Sequence, residues 1–323
     1  MSLGIVATEL RDAEEGEAAA QGFTLEEIAA QEGFLLFDGC VKHDFEFLTL
    51  TYNTRSYKQL DIALLGRLLH ADREMLQFLW LECVHTIPEV VEEWRQWLQI
   101  LGEKTRNYNQ REQFYIVDHP EKQGRGTEQK RLMAELNEQA LQMVKLARKS
   151  VYTPTMPKAY EAMQRAIETM EDWLHLKTKI SPYPKEREPR MWRREWPEHH
   201  ADERLVAMAL YLSLVENRSV ALVTGDWDIV KLMRTAHCLL ATRDSLPFSS
   251  EVMQTLDAHP VRLYFADPRV AEDRSRYTVP FDARERPAYS VFRKFPYSKE
   301  KVCKRAFEDS FSPHLRLMRE EIA

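Results

Sequence analysis

Two aspartates stand where a parallel sheet would present them for chemistry. Asp38 follows the apolar run Phe34-Leu35-Leu36-Phe37. Asp226 follows Val223-Thr224-Gly225, and Asp228 comes two residues later. Short continuous apolar runs suit strands buried on both faces. In α/β sheets, ligands bind outside the carboxyl ends of such strands. Either aspartate taken singly also suits a helix cap. Two further acids point inward by helical counting. In ADERLVAMALYLSLVEN, at about 100° per residue, Leu205, Val206, Ala209 and Leu212 define the apolar face. Asp202 lies within about 20° of the centre of that face, and Glu203 about 110° away, in a solvated or marginal position. In the helix that opens at Pro88, Val90, Val91, Trp94, Leu98 and Leu101 form the stripe. Glu93 borders this stripe, whereas Glu92 lies almost opposite it. Carboxylates gathered about 4 Å apart repel by several kcal/mol at an effective dielectric near 20, so protons or a divalent cation must offset them. Hard carboxylate oxygens suit Mg²⁺ or Mn²⁺. Such a cation polarises a phosphoryl oxygen and activates water, which is chiefly phosphate chemistry.

The elements that would carry these acids alternate between strand and helix. Gly33–Phe37, a stretch ending near Ile87, Val220–Thr224 and Cys238–Ala241 read as buried strands, with Val261–Phe265 as a fifth. Helical patterns lie between them, at about 55–70, 88–102, 201–216 and 227–235. The stretch 72–82 fits helix or strand equally. This alternation predicts an α/β domain with a parallel sheet. Residues 127–149 and 157–178 read as two long amphipathic helices, preceded by a polar loop holding Gly124 and Gly126. The expected organisation is therefore an acidic N-terminal extension (1–32), with a short helix near 24–31, and an α/β body (33–102 and 200–265). A helical insertion with a basic, Pro-rich linker (103–199) interrupts the body, and a basic, loop-rich extension (266–323) follows it.

The totals limit what this body can do. With a net charge of −6 and 44% hydrophobic residues, the chain is no uniformly basic nucleic-acid binder, although a local basic face remains open. No apolar run approaches the roughly 18 residues that span a bilayer. The N-terminus lacks the pattern of a secretory signal. Cys40, Cys83, Cys238 and Cys303 are widely spaced and read as reduced residues, the first three in core runs. A cytoplasmic location is expected.

The four acidic segments, FLLFDGC, PEVVEEW, ADERLVAMAL and VALVTGDWDIVKL, appear in the order of the PIN-domain ribonucleases, and the chain resembles that family over about 33–102 and 200–242. The resemblance implies a Rossmann-like α/β/α sandwich around a central parallel sheet. It implies Mg²⁺ or Mn²⁺ held by Asp38, Glu93, Asp202 and Asp226, directly or through water. Asp228 would support the metal or position the attacking water, and Thr224 would hydrogen-bond within the site. The implied activity is endonucleolytic hydrolysis of single-stranded RNA. The alternative is a catalytically silent PIN-like module that binds RNA or a protein partner.

Other patterns are weaker. FDGC and VTGD are similar to haloacid-dehalogenase-type phosphatases, but position 40 is Cys where their general acid would stand. No Gly-rich nucleotide-binding loop occurs. A flap-endonuclease type would carry a larger acidic cluster. His199 and His200 read as polar loop residues at a helix start, with phosphate or metal binding as the alternative. Lys185–Arg194, with Trp192, and the stretch from Tyr289 to Lys301 interleave cations and rings, a pattern that suits single-stranded nucleic acid. The 103–199 insertion offers a surface for a protein partner, and a homo-oligomer is compatible with the sequence.

Overall fold

A computed structural model of the chain describes residues 23–39, 62–118, 123–174, 200–241, 249–265 and 278–282. Lys185–Arg194, His199 and 289–301 lie outside the described residues. The fold is α/β, mostly helical, around a small sheet with four parallel strands. Strand order is β2-β1-β3-β4-β5, where β1 is Leu35–Phe37, β2 Val84–His85, β3 Val220–Thr224, β4 Val261–Phe265 and β5 Thr278–Asp282. Contacts divide the chain into two compact units. The first comprises the chain up to Tyr152 with Val223–Gly225. The second contains Thr153–Leu222, Asp226–Phe265 and β5.

The first unit opens with α1 (Leu25–Gln31), whose start is fixed by a reciprocal cap. Thr24 Oγ1 accepts from the Glu27 amide at 3.2 Å, and the Glu27 carboxylate accepts from the Thr24 amide at 2.7 Å. Such a pairing satisfies two amides that the helix start leaves without partners. β1 is buried along its length and pairs in parallel with β2, Leu35 opposite Val84 and Leu36 opposite His85. Thr86 and Val151 extend this edge by one parallel bridge. Three helices complete the unit: α2 (Ile62–Leu79), α3 (Pro88–Asp118) and α4 (Gln123–Lys149). Phe37 meets two of them, its ring 6.2 Å from Phe78 of α2 and 5.4 Å from Trp94 of α3. α4 packs on both α2 and α3, tied by the Arg73–Glu135 ion pair at 2.5 Å and by Asn137 donating to Thr105 at 2.6 Å.

The second unit is organised by α6 (Ala201–Leu214), in which every residue from Leu205 to Leu214 is buried. A helix apolar on all sides belongs inside a core. α5 (Pro157–Leu174), α7 (Trp227–Ala241) and α8 (Ser249–Ala258) pack against it. The Tyr211 hydroxyl accepts from the Met156 amide at 2.8 Å and pairs with Thr155 at 3.1 Å, which anchors the turn into α5. β5 runs antiparallel to β4, with a register shift opposite Leu263–Phe265 that leaves Val279 and Pro280 as the irregular positions.

Several elements differ from the sequence expectations. Cys238–Ala241 is not a strand but the end of α7. Four apolar residues are too few to distinguish a strand from the last turn of a buried helix. Residues 72–79 continue α2. Gly124 and Gly126 lie inside α4 rather than in a loop, because the helix extends four residues ahead of its apolar pattern. α3 runs 31 residues without interruption, so position 103 marks no break. β5 was not anticipated.

Candidate functional site

In the first unit the candidate site is built at the end of β1. Asp38 is only 2% exposed. Its amide donates to the Val223 carbonyl at 3.0 Å, and its Oδ2 accepts from the buried Thr224 hydroxyl at 2.8 Å. Thr224 closes β3, so two neighbouring strands deliver the pair. A buried carboxylate demands such partners, since its charge is costly to desolvate. Thr86 reinforces the same edge by donating Oγ1 to the Phe37 carbonyl at 3.0 Å.

Glu93 enters from the second turn of α3. A Cβ placed on Gly39 would lie 2.7 Å from Glu93 Oε2, so the carboxylate occupies the space that glycine leaves open. Trp94 Nε1 donates to the Gly39 carbonyl at 3.1 Å, which clamps the backbone beside it. Glu92, its neighbour, instead turns to Arg95 at 3.2 Å. Asp38 and Glu93 are therefore brought to consecutive backbone positions, 38 and 39.

In the second unit Asp226 caps α7. Its Oδ1 accepts from the Asp228 amide at 2.7 Å, the geometry of an N-cap. Although part of the residue meets solvent, its carboxyl lies deep enough that burial pushes its pKa up, and the Asp228 charge pushes the same way. The Asp228 amide and the Lys231 ammonium oppose this shift, with a smaller effect. Asp228 itself pairs with Lys231 at 2.5 Å, so its carboxylate already has a cation.

Asp202 lies in the first turn of α6 and is half-buried, while Glu203 is 1% exposed. This reverses the order given by helical counting. The cause is that α6 is enclosed on nearly every side, so its apolar face has no unique centre. Glu203 lies 3.4 Å from His200 Nδ1. His200, at the cap position, has φ 50° and ψ 32°, a left-handed conformation that costs a non-glycine residue about 1–2 kcal/mol. The strained residue thus sits two positions before Asp202.

Among the described residues no group of three or more His, Cys, Asp or Glu side chains is arranged to hold a metal ion. The chemistry of the donors nonetheless suits a hard divalent cation. Asp38 and Glu93 offer carboxylate oxygens at one strand end, and Asp226 is a carboxyl whose charge burial disfavours until a cation compensates it. Four contributors were not apparent from the sequence: Gly39, Trp94, Thr86 and Glu203. The i,i+3 spacing of Asp228 and Lys231 does suggest their pairing. Cys83 is half-buried, and burial raises its thiol pKa, which disfavours the thiolate. Among the described residues no helix is long and apolar enough to cross a membrane. In comparisons with known proteins no family model matches the chain, and neither a curated protein nor a solved structure does.

Proposed function

We propose that the chain is a PIN-like, metal-dependent endoribonuclease acting on single-stranded RNA. One observation carries the reading. Asp38 is buried at the end of β1, hydrogen-bonded to Thr224 at the end of β3, with the Glu93 carboxylate turned to Gly39 beside it. Asp38, Glu93, Asp202 and Asp226 would hold Mg²⁺ or Mn²⁺, which when bound supplies charge neutralisation at a phosphodiester and lowers the pKa of water. Thr224 fixes the orientation of the Asp38 carboxylate. Gly39 admits the Glu93 carboxylate, and Trp94 holds the intervening backbone still. Asp226, set by the Asp228 amide, presents a carboxyl at the start of α7. Asp228, neutralised by Lys231, orients rather than binds.

The test is cleavage of single-stranded RNA and DNA oligomers by the full chain, with Mn²⁺ and with EDTA. Metal-dependent cleavage of RNA that disappears in Asp38→Asn and Asp226→Asn is expected. Cleavage retained in both variants removes the proposal.

A second reading, the silent PIN-like module, draws on the Lys231–Asp228 ion pair. A lysine that already satisfies an acid in the first turn of α7 reduces the need for a metal there. RNA binding without cleavage, and no response to millimolar Mn²⁺, would select it.

A further inference from the structure

An unbalanced cluster of positive charge lies at the end of α4. Between Glu138 and Glu161 the sequence contains no acidic residue, in a chain whose net charge is −6. Lys145, Arg148 and Lys149 fall in this interval and all three are exposed. Spaced i, i+3 and i+4, they share one helix face, with Cβ atoms about 5–6 Å apart. Other cations of the same unit face acids: Arg73 faces Glu135, Arg95 faces Glu92 and Arg131 faces Glu135. Among the described residues no carboxylate lies within ion-pair distance of Lys145, Arg148 or Lys149. Cations in a last helical turn complement its carbonyl end, which accounts for Arg148 and Lys149 but not for Lys145 or for the missing acids.

The backbone ties this basic end to the candidate site. Ser150, directly after Lys149, accepts at its carbonyl from the Thr86 amide at 3.0 Å, and the Tyr152 amide donates to the Thr86 carbonyl at 2.9 Å. Thr86 in turn donates Oγ1 to the Phe37 carbonyl, the residue before Asp38. The segment at Val151 therefore acts as one more parallel rung beyond β2. At about 4.8 Å per strand spacing, it lies roughly 10 Å from the line of β1. The end of the helix that carries Lys145, Arg148 and Lys149 is thus joined, through Ser150 and Thr86, to the residue before Asp38.

We propose that the last turns of α4, through Lys145, Arg148 and Lys149, form the phosphate-guiding surface that leads a single-stranded nucleic acid to the strand end bearing Asp38. The inference rests on the nuclease reading for its destination, but the binding surface stands on its own charges. A lipid surface fits less well. Stable membrane attachment takes a second signal beside a basic cluster, and the only large apolar side chain exposed on α4 among the described residues is Leu141.

The test measures binding separately from cleavage. The full chain is titrated into a labelled single-stranded oligouridine about a dozen nucleotides long, in EDTA, over a range of salt, with fluorescence anisotropy as readout. Lys145→Gln, Arg148→Gln and Lys149→Gln combined should weaken binding roughly tenfold or more at low salt. The slope of log K against log salt should become shallower by about 2, near 0.7 per phosphate contact. Gln keeps helix propensity, and an unchanged thermal melt verifies the fold. Three outcomes overturn the proposal: unaltered affinity and slope in the triple variant, no binding of the oligomer by the unaltered chain, or capture by phosphatidylserine vesicles in place of RNA. Cation-dependent binding combined with no Mn²⁺-dependent cleavage defeats the nuclease reading while leaving this surface in place.

Discussion

The Thr224 hydroxyl donates a 2.8 Å hydrogen bond to Oδ2 of Asp38 across 186 residues of sequence, with both side chains buried. This bond joins the ends of β1 and β3 and sets the orientation of the carboxylate on which the candidate site depends. Thr224→Val keeps the shape of the side chain and removes the donor. A buried acceptor that loses a partner costs about 1–3 kcal/mol, so urea unfolding should show a loss of that size, together with slower Mn²⁺-dependent cleavage. Thr224→Ser restores the hydroxyl and should recover most of both. A valine variant as stable and active as the parent would show that the bond has no such role.

Gly39→Ala separates site from fold. The added Cβ would meet Glu93 Oε2 at 2.7 Å, the far end of a flexible side chain, so the carboxylate can move away at little cost. Stability should change by less than about 1 kcal/mol. The rise in melting temperature produced by Mn²⁺ should shrink, because Glu93 no longer lies where glycine let it. An undiminished metal response in this variant would exclude Glu93 as a ligand.

For Asp226 the pH dependence has a definite sign. Burial raises its pKa in the folded chain. The native state therefore holds a proton that the unfolded chain has released over the interval just above the ordinary carboxylate value. Stability contributed by this group is present below that interval and declines as pH rises through it. In metal-free protein, Asp226→Asn should be more stable than the parent at about pH 7 and no more stable at about pH 3. The Asn oxygen can still accept from the Asp228 amide. Added Mn²⁺ should reverse the order at neutral pH by stabilising only the parent. Chemical denaturation at the two pH values, with and without Mn²⁺, measures all four terms.

On α6 the two adjacent acids should behave differently. Glu203 is enclosed and lies near His200, so Glu203→Ala should cost roughly 2–4 kcal/mol through a cavity and lost polar contacts. Asp202, half-buried, should tolerate Asn with a change below about 1 kcal/mol while losing metal-dependent activity. Equal stability losses at the two positions would contradict this division of roles.

Much of the architecture is legible in the sequence because burial leaves periodic marks. Leu35–Phe37, Val220–Thr224 and Val261–Phe265 read directly as strands, and Asp38 and Thr224 are recognisable as residues at strand ends. Errors arose where the marks are degenerate. Cys238–Ala241 carries the same short apolar run whether it ends a helix or forms a strand. Helical counting puts Glu203 at a solvated or marginal position because it presumes one wet face, and α6 has scarcely any. The approach of Glu93 to Gly39 depends on a side-chain rotamer and on the crossing of α3 over β1, neither of which sequence spacing encodes. The basic end of α4 carries no motif, and its backbone connection to Phe37 through Ser150 and Thr86 is one that residue spacing does not encode.

Pro280, in the irregular stretch of β5, has a consequence for how copies of the chain meet at high concentration. Among the described strands β5 is the last on its side of the sheet, and a sheet border of this kind is a template for a neighbouring molecule to extend. Proline has no amide hydrogen to offer, and the offset pairing against β4 bends the border away from a regular ladder. The chain is thus guarded against edge-to-edge polymerisation on that flank, and replacing Pro280 with a β-branched residue should make concentrated solutions more prone to form fibrils.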